Sequence, residues 1–369
     1  VTFVDLSLRH QPSRSEPAAI QVRHVNRRPV DYADLIAVDE VVSQLVSGRI
    51  NRAEARDRVA KIVSTGHSRP RWTVTLGWGV MGVGIALTLG GTPLVCLLAF
   101  VAACGIDVTQ RLLPAHRIPP FYQHAAGGFV ATMIAVGATA SGLDVNPSRV
   151  VTTGIVMLLA GVGILGATQD AINGFPVTAA ARVIDAFLNT MGIITGVAAG
   201  LTAADMLGVG FDDFNVGATG LAAVSVTIIG AAIAAGGFAF ASWAPLRALF
   251  AAGIIAAIGQ AVDLAPSATG TGRTWAAAAA AITIGFICQF VAGWFRVPAL
   301  VVVVPAIVPL LPGLDVYRGL ALFAEGKDGV LQLAAALATA LALAAGVILG
   351  QYIALPLKRN AIRLENRLS

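Results

Sequence analysis

The chain has 369 residues, of which 56% are hydrophobic and 12% are charged, and its mean hydropathy is +0.78. Soluble domains are typically about 45–50% apolar and about a quarter charged. This composition therefore argues against a soluble enzyme, a disordered protein and a disulfide scaffold, and it predicts an integral membrane protein. The net charge of +5 does not indicate a nucleic-acid binder, because its distribution matters more than its sum. The three cysteines lie inside apolar runs, so we expect no disulfide framework and no Cys-based metal site. We predict no other metal site and no cofactor.

Residues 1–72 differ in composition from the rest of the chain. They hold 12 of the 25 Lys and Arg residues and 8 of the 20 Asp and Glu residues, which indicates a soluble, cytosolic zone. Alternating residues predict strands within residues 1–8 and 20–23, joined by a hairpin loop over His10–Pro17. Two strands and two short helices rarely make a complete domain, so we expect a partial α+β domain. The chain begins with Val1 rather than Met, and we expect its true N-terminus to be missing.

Two helices are predicted in this cytosolic zone. The second helix begins at a capping-box pattern, in which Asn51 is followed three residues later by Glu54, and Ile50 is placed to act as a hydrophobic staple. The second helix continues through Ala55, Val59 and Ile62. The first helix has one apolar face at helical spacing, formed by Leu35, Val38, Val41, Val42 and Leu45.

The remainder of the chain consists of long apolar runs. A transmembrane helix needs about 20 largely apolar residues, and runs of this kind predict ten spans. The expected fold is therefore an α-helical integral membrane protein. The predicted spans cover residues 73–90, 92–108, 121–141, 150–168, 182–204, 216–240, 246–262, 274–294, 298–314 and 329–355.

Basic residues in the connections predict the orientation of the ten spans. With residues 1–72 in the cytoplasm, the connections and the tail on that side hold nine Lys or Arg residues, whereas the outer connections hold four. Cytoplasmic loops carry an excess of Lys and Arg. Both chain ends are therefore expected in the cytoplasm, including a basic tail over residues 358–369. This arrangement requires an even number of spans, and ten satisfies the requirement.

A short internal similarity divides the apolar region into two halves. Leu158–Gly161 reads Leu-Leu-Ala-Gly and Leu310–Gly313 reads Leu-Leu-Pro-Gly, at an offset of 152 residues. We predict one five-helix unit over residues 73–204, an extracytoplasmic linker over 205–215 and a second five-helix unit over 216–357. Because five is odd, the second unit enters the membrane from the opposite side. Inverted repeats of this kind occur in secondary transporters, where substrates bind near the midplane. Chance similarity between Gly- and Ala-rich helices is the alternative.

The ninth span carries a candidate substrate site. Pro305, Pro309 and Pro312 fall within eight residues and are followed by Gly313, which predicts a broken helix. Backbone freed from helical hydrogen bonds inside a membrane has to line a cavity or be buried in protein. Its amides and carbonyls suit a zwitterionic ligand, whereas a kinked helix that serves packing alone is the alternative. The counterpart in the first half, over residues 154–166, has glycines in place of prolines.

Polar residues in or near the spans are further candidates, because such groups are costly in a membrane. Asp185 is the preferred proton-coupling residue, since apolar sequence continues on its C-terminal side, and Asn189 lies on the same helix face. Asp107, at the end of the second span, is the other proton-coupling candidate. The alternative for Asp107, Gln260 and Asp315 is simple solvation at the membrane surface.

In several motifs the chain resembles the threonine/serine exporter family of bacterial inner-membrane transporters. The most specific match is the segment Pro305-Ala-Ile-Val-Pro-Leu-Leu-Pro-Gly-Leu-Asp-Val-Tyr-Arg-Gly319. Leu158–Gly161 with Asp170 resembles the corresponding segment of the first half. In the soluble zone, five residues resemble the family's helices before the first span: Gly48, Ile50, Glu54, Ala55 and Ile62. The resemblance implies ten spans in two halves, a cytosolic N-terminal domain, and export of threonine and serine driven by the proton motive force.

We therefore predict a proton-coupled antiporter of the bacterial inner membrane that works by alternating access, and not an enzyme. Its partners are L-threonine, L-serine, protons and the lipid bilayer, and formation of a homo-oligomer is left open. The alternatives are an intramembrane or membrane-anchored enzyme with a hydrolase-like cytosolic domain, and a passive small-solute channel. The predicted substrate-binding residues are Gly161, Asp170, Asn173, Pro305, Pro309, Pro312, Gly313, Asp315, Tyr317 and Arg318.

Overall fold

The structure is a computed structural model that describes residues 5–10, 19–24, 30–66, 69–159, 161–209, 223–267 and 272–368. The N-terminal zone contains β1 (Asp5–His10), β2 (Ala19–His24), α1 (Tyr32–Val46) and α2 (Arg52–Ser64). The first half of the apolar region contains α3 (Arg71–Thr88), α4 (Pro93–Ala115), α5 (Pro120–Ala140), α6 (Pro147–Ile155), α7 (Gly161–Ile172) and α8 (Pro176–Met206). The second half contains α9 (Val224–Ala241), α10 (Leu246–Ser267), α11 (Arg273–Phe295), α12 (Ala299–Ile307), α13 (Gly313–Ala324) and α14 (Val330–Leu368).

The N-terminal zone forms the two strands and two helices that its sequence predicts. β1 and β2 pair antiparallel, with Asp5 opposite His24. The predicted loop after His10 lies outside the described residues. The capping pattern of α2 is confirmed, because the Asn51 side chain accepts a hydrogen bond of 2.8 Å from the Glu54 amide. Ile50 and Ala55 belong to one small buried cluster, as a hydrophobic staple requires.

The residues of the apolar face predicted for α1 are not all buried. Val41 packs against α2, whereas Val38 and Val42 are exposed. The N-terminal turn of α1 instead contacts the long apolar helices. The Tyr32 amide donates a 2.9 Å hydrogen bond to the Ser242 carbonyl, and the Tyr32 ring is 2% exposed in their core. The N-terminal zone is therefore attached to one end of the helix bundle through α1.

Six of the described helices are long and apolar enough to cross a membrane: α4, α8, α9, α10, α11 and α14. Two helix pairs, α6 with α7 and α12 with α13, are each bent by more than 40° and bring the number to eight if each pair is one span. Helices α3 and α5 form where the first and third spans are predicted, but they are not among the helices that are long and apolar enough to cross a membrane. Six to eight membrane-crossing helices are thus indicated, and ten spans stay a prediction. Helix α14 continues to Leu368, so the predicted basic tail extends this helix.

The first helices of the two halves, α3 and α9, run in opposite directions through the bundle. Because α3 and α9 are antiparallel, each begins at the end where the other finishes. Within the halves, α3 and α4 are antiparallel, α5 and α8 are parallel, and α11 and α14 are parallel. We call the end where α3 begins and α1 packs the proximal end, and the opposite end the distal end. The defining contacts are Gly77 with Ala241 and Gly84 with Gly230 (α3–α9), Gly79 with Cys104 and Gly82 with Ala99 (α3–α4), Gly192 with Phe121 and Gly200 with Thr132 (α5–α8), and Ala281 with Gly346 and Phe286 with Gly350 (α11–α14).

The two bent helix pairs have the same construction. Each consists of a nine-residue helix, a three-residue 3-10 turn, a break of two residues and a twelve-residue helix. Every boundary in the second pair lies 152 residues after its equivalent in the first. The backbone at the break is also alike, with φ −63° and ψ 141° at Leu159 and φ −64° and ψ 137° at Leu311.

Candidate functional site

The breaks of the two bent helix pairs lie against each other. A methyl group on Gly161 would lie 2.8 Å from the Cβ of Leu311, and a methyl group on Gly313 would lie 2.9 Å from the Cβ of Leu159. These two contacts are equivalent under the offset of 152 residues, which is the pattern that a two-fold relationship produces at an interface. Gly161 and Gly313, both predicted site residues, are therefore brought together by the fold.

The second break leaves backbone groups without helical partners. The last turn before it ends with the Leu311 amide donating to the Val308 carbonyl, at 3.3 Å, and Leu311 itself is extended. Helix α13 then begins after Pro312, which supplies no side-chain cap. The first amides of a helix attract anions and its last carbonyls attract cations. A pair of breaks of this kind can therefore bind both charges of a small zwitterion.

The prolines of the predicted ninth span lie at different points of its helices. Pro305 is buried inside α12 without ending it, Pro309 lies in the 3-10 turn, and the chain leaves helical geometry only at Leu311 and Pro312. The predicted break is therefore present, but it lies at the end of the proline series. Pro305 is about two turns from the break, so it lies next to the site rather than in it.

A charged cluster lies on the distal side of the second break. The Asp315 carboxylate is 3.1 Å from Arg273 at the start of α11 and 3.3 Å from Arg318, and its side chain is 15% exposed. This location does not fit the alternative that Asp315 is simply solvated at the surface. Tyr317 is 2% exposed and packs into the core of the first half, against residues such as Leu158. Asp315 and Arg318 thus form one cluster, whereas Tyr317 joins the two halves.

A second charged pair lies at the proximal end of α7. The Asp170 carboxylate is 2.9 Å from Nε of Arg182 on α8, and both side chains are partly exposed. The guanidinium of Arg182 lies against Gly166, where any larger residue would meet it. Asp170 is nine residues, or roughly 14 Å, along the helix from Gly161. Asn173 is exposed in the turn after α7, so Asp170 and Asn173 lie apart from the two breaks.

Asp107 lies inside α4, which continues to Ala115. Its side chain is largely buried and accepts a 2.7 Å hydrogen bond from the Thr75 hydroxyl, and it forms a 2.9 Å ion pair with Arg111. Arg111 also donates to the Thr75 hydroxyl. The surface-solvated alternative therefore does not describe Asp107. A carboxylate held by two partners has a structural role in joining α3 to α4 as well as any role in proton transfer.

Asp185 is exposed on α8, and the Asn189 amide lies 3.4 Å from its carboxylate. The next residue on this face, Gly192, lies against α5, where its added methyl group would be 3.2 Å from the Cβ of His124. The His124 Nδ1 atom is 2.9 Å from the Pro120 carbonyl. Asp185, Asn189 and His124 therefore lie along the contact between two parallel helices, and protein atoms do not enclose Asp185.

The structure adds partners that the sequence alone did not identify. Arg182, Arg273 and Arg111 are among the basic residues of the predicted connections, and each pairs with a candidate Asp. The i,i+4 spacing of Asp107 and Arg111 could have indicated one of these pairs, whereas Arg182 and Arg273 reach across different helices. Among the described residues, no group of three or more His, Cys, Asp or Glu side chains is arranged to hold a metal ion.

Comparisons with known proteins match both halves of the chain. The family model described as "Putative threonine/serine exporter" matches residues 2–204, and the one described as "Threonine/Serine exporter, ThrE" matches residues 227–353. The "Probable threonine/serine exporter" of Mycobacterium tuberculosis (strain ATCC 25618 / H37Rv) is 37% identical over 358 residues, covering 94% of this chain and 67% of that protein. The "Threonine/serine exporter" of Corynebacterium glutamicum is 34% identical over 356 residues, covering 92% of this chain and 71% of that protein. No solved structure matches the chain.

These matches agree with the resemblance drawn from the sequence. The first family model alone spans more than half of the chain, and both relatives cover nearly all of it. The Pro-rich segment that carries the resemblance, Pro305–Gly319, lies inside the second match. With six to eight apolar helices that could cross a membrane, the chain is a multi-pass α-helical membrane protein and belongs to the threonine/serine exporter family.

Proposed function

We propose that this protein exports L-threonine and L-serine across the bacterial inner membrane, driven by the proton motive force. The membrane domain has ten spans in two inverted repeats, and both chain ends lie in the cytoplasm. The proximal end of the bundle, which carries the N-terminal zone, is then the cytoplasmic end. The two relatives are named as exporters of these amino acids, which supports the substrate class.

The observation that carries the proposal is the reciprocal contact between the two breaks. Gly161 lies against Leu311, and Gly313 lies against Leu159. The antiparallel packing of α3 on α9 supports the same two-fold relationship, because equivalent helices then cross the bundle in opposite directions. In transporters built from inverted repeats, broken helices near the midplane provide the substrate site. Such a repeat allows one half to rock against the other around a fixed site.

The substrate binds where the two breaks meet. Its carboxylate is bound by the first amides of α13, which Pro312 leaves without a side-chain cap. Its ammonium group is bound by the carbonyls that end the 3-10 turns and by Asp315, two residues beyond Gly313. A small side chain is required because Leu159 and Leu311 leave little space beside the glycines. Threonine and serine satisfy these requirements, and their hydroxyl group can bond the same freed backbone.

The charged clusters act as gates on either side of this site. Asp170 and Arg182 join α7 to α8 on the cytoplasmic side, and Asp315 joins α13 to Arg273 of α11 on the outer side. In alternating access, opening toward one side requires the pair on that side to separate. Asp185 provides the proton-coupling carboxylate near the cytoplasmic end, with Asp107 as the second candidate.

The test is transport by the purified full chain in proteoliposomes. Vesicles with an imposed pH gradient should accumulate labelled threonine, and the accumulation should stop when a protonophore collapses the gradient. Serine should compete, whereas leucine should not. Threonine flux that is saturable but independent of the pH gradient would contradict the coupling, and a linear, unsaturable flux would favour the passive channel.

A further inference from the structure

A polar cavity lies between the N-terminal zone and the proximal end of the second half. Its volume is about 780 Å³, which falls in the range of roughly 300–1,000 Å³ that is typical of small-molecule sites. Helix α1 forms one wall, through residues such as Ile36 and Asp39. The start of α10, the end of α11 and the start of α12 form the other wall, through residues such as Gln289 and Pro298.

The two walls differ in charge. Arg247 at the start of α10 and Arg296 at the end of α11 line the bundle side, whereas Asp39 and Glu40 line the α1 side together with Arg49, which follows α1. Among the residues that the structure describes, neither Arg247 nor Arg296 has a carboxylate within ion-pair distance. Two guanidinium groups in this wall are therefore available for an anion. Arginine binds carboxylates through two parallel hydrogen bonds.

Arg296 lines the cavity from an unusual backbone conformation. Helix α11 ends with Arg296 in the left-handed region, at φ 52°. Helices that end in this way usually have glycine at that position, and residues other than glycine adopt it rarely. Arg117, in the connection between α4 and α5, has a similar conformation at φ 59° but does not line the cavity. It therefore provides a matched control for Arg296.

The α1 wall is held in place by the bundle. The Tyr32 amide bonds the Ser242 carbonyl, and Leu35 and Ile36 pack against the core of the second half. The acidic side chains of Asp39 and Glu40 follow in the next turns of the same helix, so they are held opposite the arginines. The bundle wall includes Pro298, immediately before α12, which leads to the second break.

We infer that this cavity is a cytoplasmic entry site for free α-amino acids, in which Arg247 and Arg296 bind the carboxylate and the α1 acids bind the ammonium group. The inference rests on the proposed function, because it assigns the site at which the exported amino acid first binds. The site selects for the α-amino acid zwitterion, whereas the breaks, farther along α12, select for a small side chain. The cavity is thus distinct from the site at Gly161 and Gly313.

The test measures initial rates of threonine transport in proteoliposomes with the N-terminal zone facing outward. The double variant Arg247→Gln/Arg296→Gln should raise the half-saturating threonine concentration about tenfold, with little change in the maximal rate. The variant Arg117→Gln should match the wild type. Threonine amide, which lacks the carboxylate, should compete much less well than threonine for the wild type and about equally for the double variant. Similar elution profiles in gel filtration check that the variants fold.

The outcomes separate this inference from the proposed function. Wild-type vesicles that transport no threonine overturn both. Wild-type transport with an unchanged half-saturating concentration in the double variant overturns the entry site alone. The measurements are made in phosphatidylcholine vesicles with and without phosphatidylglycerol. A shift that occurs only with the anionic lipid would mean that Arg247 and Arg296 bind lipid phosphate, and it would overturn the entry site as well.

Discussion

Gly166 leaves the space that the guanidinium of Arg182 occupies, and this position brings Nε of Arg182 to 2.9 Å from the Asp170 carboxylate. The glycine and the acid lie four residues apart on α7, whereas the arginine comes from α8. A methyl group on Gly166 would meet only the far end of this flexible side chain. The ion pair can therefore be displaced without disturbing the packing of the two helices.

The first prediction is that Gly166→Ala impairs transport more than stability. The methyl group pushes Arg182 away from Asp170 and leaves the proposed cytoplasmic gate without its ion pair. Because partly exposed ion pairs contribute about 0.2–1 kcal/mol, the unfolding midpoint should hardly change. Threonine transport in proteoliposomes should fall by about tenfold, the equivalent of about 1.4 kcal/mol in a rate.

Asp170→Asn should reproduce the effect, because it removes the same pair from the other partner. Gly163→Ala, on the same helix, is the matched control, since nothing lies within 4 Å of its added methyl group. Full transport activity in both Gly166→Ala and Asp170→Asn would show that the pair is not a gate.

The second prediction concerns the meeting point of the two breaks. Gly161→Ala should impair both stability and transport, because its methyl group would lie 2.8 Å from the Cβ of Leu311 and the neighbouring backbone has to move. Overpacking of this kind typically costs about 1–3 kcal/mol. Thermal unfolding in detergent and threonine transport provide the two measurements. Gly313→Ala should behave in the same way, because it meets Leu159 equivalently.

Gly163→Ala serves again as the control, because it adds the same methyl group two residues farther along α7, where nothing lies within 4 Å. The two-fold interpretation requires Gly161→Ala and Gly313→Ala to have effects of similar size. A large effect of one variant together with a neutral effect of the other would contradict it.

The third prediction concerns the attachment of α1. The Tyr32 hydroxyl is buried, and among the described residues it has no hydrogen-bond partner. Burial also raises the pKa of the Tyr32 phenol. A buried polar group without a partner costs about 1–3 kcal/mol, so Tyr32→Phe should raise the thermal unfolding midpoint or leave it unchanged. Tyr32→Ala should lower the midpoint, because it removes the ring that fixes α1 to the bundle.

The comparison of Tyr32→Phe with Tyr32→Ala separates the contribution of the hydroxyl to stability from that of the ring. Thermal unfolding of the full chain in detergent measures both variants against the wild type. A Tyr32→Phe variant that is as unstable as Tyr32→Ala would mean that the hydroxyl has a partner in the folded protein.

Local sequence patterns predicted much of the fold. The cap of α2 depends on Asn51 and Glu54, which are three residues apart, so their types were sufficient. The break between α12 and α13 was indicated by prolines, which remove hydrogen-bond donors wherever they lie in a helix. The offset of 152 residues depends on two short strings, and the boundaries of both bent helix pairs follow it. Each of these features is encoded within a few residues.

The partners of the candidate residues could not be predicted in this way. Asp170 with Arg182 and Asp315 with Arg273 join different helices, so their pairing depends on how the helices pack. Periodicity in a single sequence gives the face of a helix but not the helix that it meets. The partner of Asp107 is Thr75, which lies 32 residues away, and a small polar residue in an apolar run carries no sequence signal of such a contact.

The fourth prediction concerns proton coupling at Asp185. The variant Asp185→Asn keeps the size of the side chain and its contact with Asn189, but it removes the group that can carry a proton. Accumulation of threonine driven by a pH gradient should be lost, whereas exchange of labelled for unlabelled threonine at equal pH should continue, because exchange needs only the substrate site. Asp205→Asn is the matched control, since Asp205 is an exposed acid near the other end of α8, and it should keep both activities. Gradient-driven accumulation at the wild-type rate in Asp185→Asn would remove the coupling role from Asp185 and leave Asp107, with its Thr75 and Arg111 partners, as the next carboxylate to test.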